Sequence, residues 1–163
     1  MKKSLVILFC LAVIASLVAG CAQKPAAKGP TILKVTGNIE GGTYEFDEAT
    51  FDANAVDGEY IDPWVGDGTE AQKYNGVLLS KLIEIVKPSA DATTISVIAT
   101  DGKGIDVSIA DAQKWPIMLV HRNAGTALDS KTGGPVKIAF PQEARETYLD
   151  EQWMWWVVEI KFK

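Results

Sequence analysis

The sequence predicts an α+β domain with a mixed, mostly antiparallel sheet and few helices, on three observations. Short alternating apolar segments recur between turn signals from residue 31 onward, a single good helical pattern falls at Leu79–Val86, and no period marks an internal repeat. With 163 residues, 47% of them apolar, the chain has room for one compact domain plus appendages and excludes a second large one. Its 16 basic side chains are outnumbered by 21 acidic ones, for a net charge of −5. No cationic surface is left over to neutralise phosphates, which excludes nucleic acid and anionic lipid as partners of a basic patch.

Each element has its own warrant. Ile32-Leu33-Lys34-Val35-Thr36 alternates and stops at Gly37-Asn38, and Gly41-Gly42 introduces Thr43-Tyr44-Glu45-Phe46-Asp47, which predicts an opening hairpin. Leu79, Leu82, Ile83 and Val86 recur at helical spacing, opposite Lys81, Glu84 and Lys87, with Pro88 as the stop. Residues 94–100 and 104–109 flank Asp101-Gly102, a dipeptide that tolerates the positive φ of a tight turn, so a second hairpin is expected. Residues 117–120 and 136–140 add two strand candidates. Residues 153–162 alternate strongly and predict a central last strand with Met154, Trp156, Val158, Ile160 and Phe162 on one apolar face. Trp153 and Trp155 share the other face, and alternation makes them the only pair able to reach solvent, although packing against the helix is the more ordinary fate.

The N-terminus reads as an address. Lys2 and Lys3 precede an apolar run from Leu5 that is shorter than the roughly 20 residues a membrane span needs. The run ends Val18-Ala19-Gly20-Cys21, which resembles the lipobox of prokaryotic lipoproteins; the alternatives are an ordinary secretory signal and an uncleaved anchor helix. Residues 1–20 are thus expected to be a signal peptide, Cys21 the lipidated N-terminus, 21–30 a short tether and 31–163 the domain. Cleavage removes Lys2, Lys3 and no acidic residue, so the net charge moves from −5 to −7, and it also removes Cys10. With Cys21 acylated, no disulfide, cysteine-type zinc site or thiol nucleophile remains. The expected location is a membrane surface facing outside the cytoplasm, reached through the lipid on Cys21.

Four stretches in fixed order carry more information than periodicity: Tyr74-Asn75-Gly76-Val77-Leu78-Leu79, Asp101-Gly102, Gly133-Gly134-Pro135-Val136-Lys137-Ile138-Ala139-Phe140-Pro141 and Trp155-Trp156-Val157-Val158-Glu159-Ile160. Together they resemble the oxidoreductase molybdopterin-binding domain, the fold of the sulfite oxidase family, over about residues 33–162. The resemblance implies molybdopterin as a cofactor. It also implies a cysteine thiolate on molybdenum roughly ten residues before the aromatic that introduces the helix, a soft anionic ligand suited to that metal. Counting back from Tyr74 reaches Trp64, within Asp62-Pro63-Trp64-Val65-Gly66-Asp67, and the processed domain has no cysteine there or elsewhere. The family's Arg/His segment that grips the cofactor's phosphate is missing too, since residues 31–60 contain neither residue; Arg122, Lys131, Lys137 and Arg145 are the chief remaining partners for an anionic tail. The chain therefore resembles a reduced, non-catalytic relative.

Taken residue by residue, the chemistry is sparse. Asp57, Glu59, Asp62, Asp67 and Glu70 could supply oxygen ligands to calcium, but their spacing is not that of an EF-hand loop, and a solvated acidic loop is the expected reading. Trp64 and Asp67 in this loop, with Tyr74, His121 and Arg122, form the candidate ligand- or cofactor-binding set; the loop borders the cofactor cleft in the family. His121, the only histidine, lacks partners for a triad or an ordinary metal site and is expected to be a hydrogen-bonded strand-end residue, with Arg122 in an ion pair. No catalytic or metal-ligating residue is assigned. The leading expectation is a lipid-anchored ligand- or partner-binding domain. Its rivals are a molybdopterin-dependent oxidoreductase acting on a small oxyanion or sulfoxide-like substrate, and a structural accessory lipoprotein of a membrane complex.

Overall fold

The computed structural model describes residues 27–163; the expected signal peptide and Cys21 lie outside them, as does most of the expected tether. Among these residues ten strands form two sheets, and three short α-helices intervene along the chain. In chain order these are β1 (Leu33–Gly37), β2 (Tyr44–Phe46), α1 (Glu48–Asp52), β3 (Val56–Ile61), β4 (Ala71–Leu78), α2 (Leu79–Val86), β5 (Thr94–Ala99), β6 (Gly104–Ser108), α3 (Ile109–Lys114), β7 (Met118–Asn123), β8 (Thr126–Ala127), β9 (Lys137–Ala139) and β10 (Val157–Phe162). The first sheet has the order β2-β1-β10-β5-β6; the second runs β3-β4-β7-β8, with β9 also pairing β7. All pairings are antiparallel except β1 with β10. This is the expected α+β class.

Both hairpins form, β1–β2 and β5–β6, and the last strand is central, between β1 and β5. Helix α2 buries Leu79, Leu82 and Val86, while its polar face carries the Lys81–Glu84 ion pair at 3.0 Å. It ends where Lys87 turns left-handed at φ 46° and closes on the Ile83 carbonyl, just before Pro88. Tyr74–Leu78, which introduces this helix, is itself strand, and the Leu79 amide bonds the Ile117 carbonyl across to β7. Helix α1, not foreseen in the sequence, starts at Asp47 in a reciprocal capping box with Thr50. The other Asp47 oxygen accepts the Lys28 and Gly29 amides at 2.7 and 2.8 Å, which pins the incoming chain. Bonds from Thr50, Lys28 and Gly29 hold the Asp47 carboxyl well below the usual range.

The expected parity of the terminal tryptophans is reversed. Residues 153–156 are not strand; they run beside β9, with Ile138 N–H donating to the Met154 carbonyl and Trp156 N–H to Gly133, before the chain crosses into the first sheet. Trp156 takes a left-handed φ of 55°, rare for a bulky residue, and a bulge follows between Val157 and Glu159. The side chains on either side of that turn therefore exchange faces: Val157, Ile160 and Phe162 are buried with Trp153, and Trp156 is 43% exposed. No described helix is long and apolar enough to cross a membrane.

Candidate functional site

The β3–β4 loop is anchored by a carboxylate that the sequence reading assigned to solvent. Asp62 is fully buried. Its Oδ2 accepts the Tyr74 hydroxyl at 2.6 Å and the Lys137 ammonium at 2.7 Å; Lys137 also donates to the Tyr74 oxygen at 2.8 Å, and the Asp62 Oδ1 accepts the Trp64 amide at 2.9 Å. Asp62 leaves the solvated acidic loop because it follows Tyr60 at strand spacing and faces inward with it. Lys137 likewise sits inside an otherwise apolar strand and is 1% exposed. Burial pulls its ammonium down against the opposing pull of Asp62, while burial, with Asp62, pushes the Tyr74 phenol far up. Burial also raises Tyr60 to about 12, its hydroxyl being bound to the Pro116 carbonyl.

Above this ion pair, Trp64, Val65 and Gly66 face the β7–β8 hairpin, Lys131, Thr132 and Trp155 across a cleft of about 390 Å³ that Lys137 also lines. On the other side of Trp64 and Trp155 lies a second cleft of about 420 Å³, walled by Trp153, Met154 and Trp156 and by Ala99, Asp101 and Lys103 of the β5–β6 hairpin. Two of the indoles are fixed at their edges: Trp64 Nε1 donates to the Asp150 carbonyl at 3.0 Å and Trp156 Nε1 to Ser130 at 2.8 Å. Trp155 packs over Gly133, whose φ of 90° disfavours a side chain and where an added Cβ would come within 2.9 Å of the indole.

Of the remaining candidates, Tyr74 belongs to the Asp62–Lys137 group, and the other three lie elsewhere. Tyr74 and Arg122 border a wider cleft of about 860 Å³ with Asp52, Asp57, Glu59 and Asn75. Arg122 is ion-paired to Glu48 at 2.6 Å and Asp52 at 3.0 Å, the surface pairing expected of it. His121 is the expected hydrogen-bonded residue: its Nε2 faces Asp52 Oδ1 at 2.7 Å and Asn75 Oδ1 at 3.2 Å, two acceptors that require the proton on that nitrogen. Burial holds its pKa below the ordinary value. Asp67 caps its own turn through the Thr69 amide and hydroxyl, which lower its pKa, and lines none of these clefts. No group of three or more His, Cys, Asp or Glu among the described residues is placed to hold a metal ion. Of the residues singled out in the sequence, Trp64 and Tyr74 lie beside the Asp62–Lys137 pair, while that pairing and the place of Trp155 across the cleft were not foreseen.

A sequence model of the oxidoreductase molybdopterin binding domain matches residues 49–163. The chain belongs to that family. The crystal structure of the sulfane dehydrogenase SoxCD from Paracoccus pantotrophus is similar in fold, with a TM-score of 0.65 at 15% identity, covering 85% of this chain and 39% of that one. The protein therefore spans about two fifths of the length of the chain it matches. No curated protein matches it.

The cofactor the family implies can be tested against the donors present. Its metal calls for a soft anionic ligand, and residues 27–163 offer no thiolate; Trp64, at the counted position, presents an indole tied to Asp150. Of the four cations available to an anionic tail, Lys137 is committed to Asp62, Arg122 to Glu48 and Asp52, and Arg145 to Asp150. Lys131 alone among these four makes no ion pair within 4 Å and lines the 390 Å³ cleft. This donor set does not fit a molybdenum centre of the family's type.

Proposed function

We propose that this family member is a lipid-anchored, extracytoplasmic binding domain that takes a small ligand between Trp64 and Trp155 and does no molybdenum redox chemistry. The observation that carries the reading is the commitment of Lys137. The one cation buried at the cleft is neutralised at 2.7 Å by Asp62, so among the described residues the site presents indole faces and a single free ammonium, Lys131. Such a surface suits a flat or apolar ligand with at most one anionic group, held by stacking and one charge contact. Lipid anchoring through Cys21, after signal-peptide cleavage, supplies the location outside the cytoplasm.

Native mass spectrometry of the detergent-extracted full chain tests this reading. The expected result is a small molecule retained at one per protein and lost in Trp155→Ala. Retention of a molybdenum-containing pterin would overturn it, as would a ligand retained undiminished by that variant.

A further inference from the structure

Four large apolar side chains are exposed among the described residues, and three of them gather at one end of the molecule: Trp64 at 54%, Leu149 at 58% and Trp156 at 43%. Trp64 and Trp156 wall the same cleft, and Trp64 bonds the carbonyl of Asp150, the residue after Leu149. The sheet register shows that the incoming chain arrives at this same end. Strands β1 and β10 are parallel with Lys34 beside Glu159, so the start of β1 lies level with the start of β10, where Trp156 bonds the Thr100 amide. Neighbouring strands are about 4.8 Å apart. The residues that lead into β1 are pinned on Asp47 at Lys28 and Gly29.

We infer that this tryptophan-lined end is a membrane-docking surface, with Trp64, Leu149 and Trp156 seated in the headgroup layer of the bilayer that holds the lipid on Cys21; the inference rests on that lipid anchor. The tether fixes the choice of occupant. Lys28 lies seven positions after Cys21, a reach of at most about 25 Å. A domain of this length is roughly 37 Å across, so the anchor keeps the Lys28 end nearest the membrane and leaves the opposite end beyond the tether's reach. Exposed indoles with hydrogen-bonded edges are the side chains that favour the membrane–water interface. The charges beside them are mixed, Lys103 against Asp101 and Asp150, so docking relies on partition of the apolar groups and on local concentration by the anchor rather than on anionic lipid. The strained left-handed φ at Trp156 turns that indole outward at the position where an ordinary strand would bury it.

The test uses the full chain made in a host that processes lipoproteins, reconstituted into phosphatidylcholine vesicles whose lipids carry spin labels close to the headgroup. Mass spectrometry first verifies the acylated N-terminus. The expected result is quenching of tryptophan fluorescence, most of which is lost in Trp64→Ser/Trp156→Asn, Asn being tolerant of the left-handed conformation. An acylated protein that shows no quenching overturns the docking and leaves the anchor standing, in which case this end is free for a protein partner. Quenching that survives intact in the double variant also overturns it. A chain that carries no lipid overturns the anchor and the docking with it. Should the double variant melt, Leu149→Cys supplies the only free thiol of the processed protein; a nitroxide there is expected to be shielded from aqueous relaxant, and full aqueous accessibility refutes the proposal.

Discussion

Replacing Asp62 by Asn removes the counter-charge of Lys137 while keeping the shape of the side chain. The two groups are 0% and 1% exposed and 2.7 Å apart, so the ammonium would be left buried without an anion. Breaking one side of a buried pair costs about 3–5 kcal/mol. Unfolding of the 137 described residues, at about 2.1 cal/mol/K per residue, carries an entropy near 0.3 kcal/mol/K, which turns that cost into a fall in Tm of roughly 10–17 °C. The same loss is expected for Lys137→Met, which strands the carboxylate. The double variant Asp62→Asn/Lys137→Met removes both charges and should recover most of the loss, because no charge is left in the core to desolvate. Thermal and urea unfolding followed by circular dichroism, taken round the full cycle, measures the coupling. A loss below about 1 kcal/mol in either single variant, or a cycle without coupling, would refute the buried pair as the anchor of the Trp64 loop.

Three further outcomes follow from the same geometry. His121 is buried against Asp52 and Asn75, with Glu48 and Arg122 nearby, and its folded pKa lies below the ordinary 6.5. The unfolded chain therefore binds the proton more readily, so stability should hold above about pH 6.5 and decline as pH falls below it, a decline absent in His121→Gln when both are melted across pH 5–8. In Gly76→Ala a Cβ would meet the Leu119 carbonyl oxygen at 2.1 Å across the β4–β7 ladder, and equilibrium unfolding should show a loss of about 3 kcal/mol. Gly133→Ala faces both a φ of 90° and the Trp155 indole; it should cost about 1 kcal/mol or more and change the near-UV dichroism of the tryptophans.

The parts of this fold that read directly from sequence are those fixed by local pattern. Leu79, Leu82 and Val86 declare the helix at its own spacing, and Asp101-Gly102 declares its hairpin, because turn chemistry and periodicity act over a few residues. The tryptophan parity was not legible: alternation assumes a continuous strand, whereas the chain turns left-handed at Trp156 and changes sheets there, fastened by bonds to Gly133, Val136 and Ile138 that no local pattern encodes. Helix α1 is too short to show a period, and its signal is confined to the Asp47–Thr50 box. The Asp62–Lys137 contact joins residues 75 apart. Even so, two clues to it were present. Asp62 shares parity with Tyr60 beside a proline, and Lys137 interrupts an apolar run, and a lone buried cation requires a partner. Trp64 was a candidate through its place in the family's loop, while Trp155, across the cleft from it, was obscured by the assumed strand.

The central claim is that this molybdopterin-fold domain holds a ligand other than a molybdenum cofactor. Elemental analysis and the visible spectrum of the full-length protein, purified from a host with an intact molybdenum-cofactor pathway, test it most directly. The account predicts molybdenum far below stoichiometric and no pterin chromophore. Stoichiometric molybdenum with a pterin spectrum would contradict it and require a ligand in place of the missing thiolate.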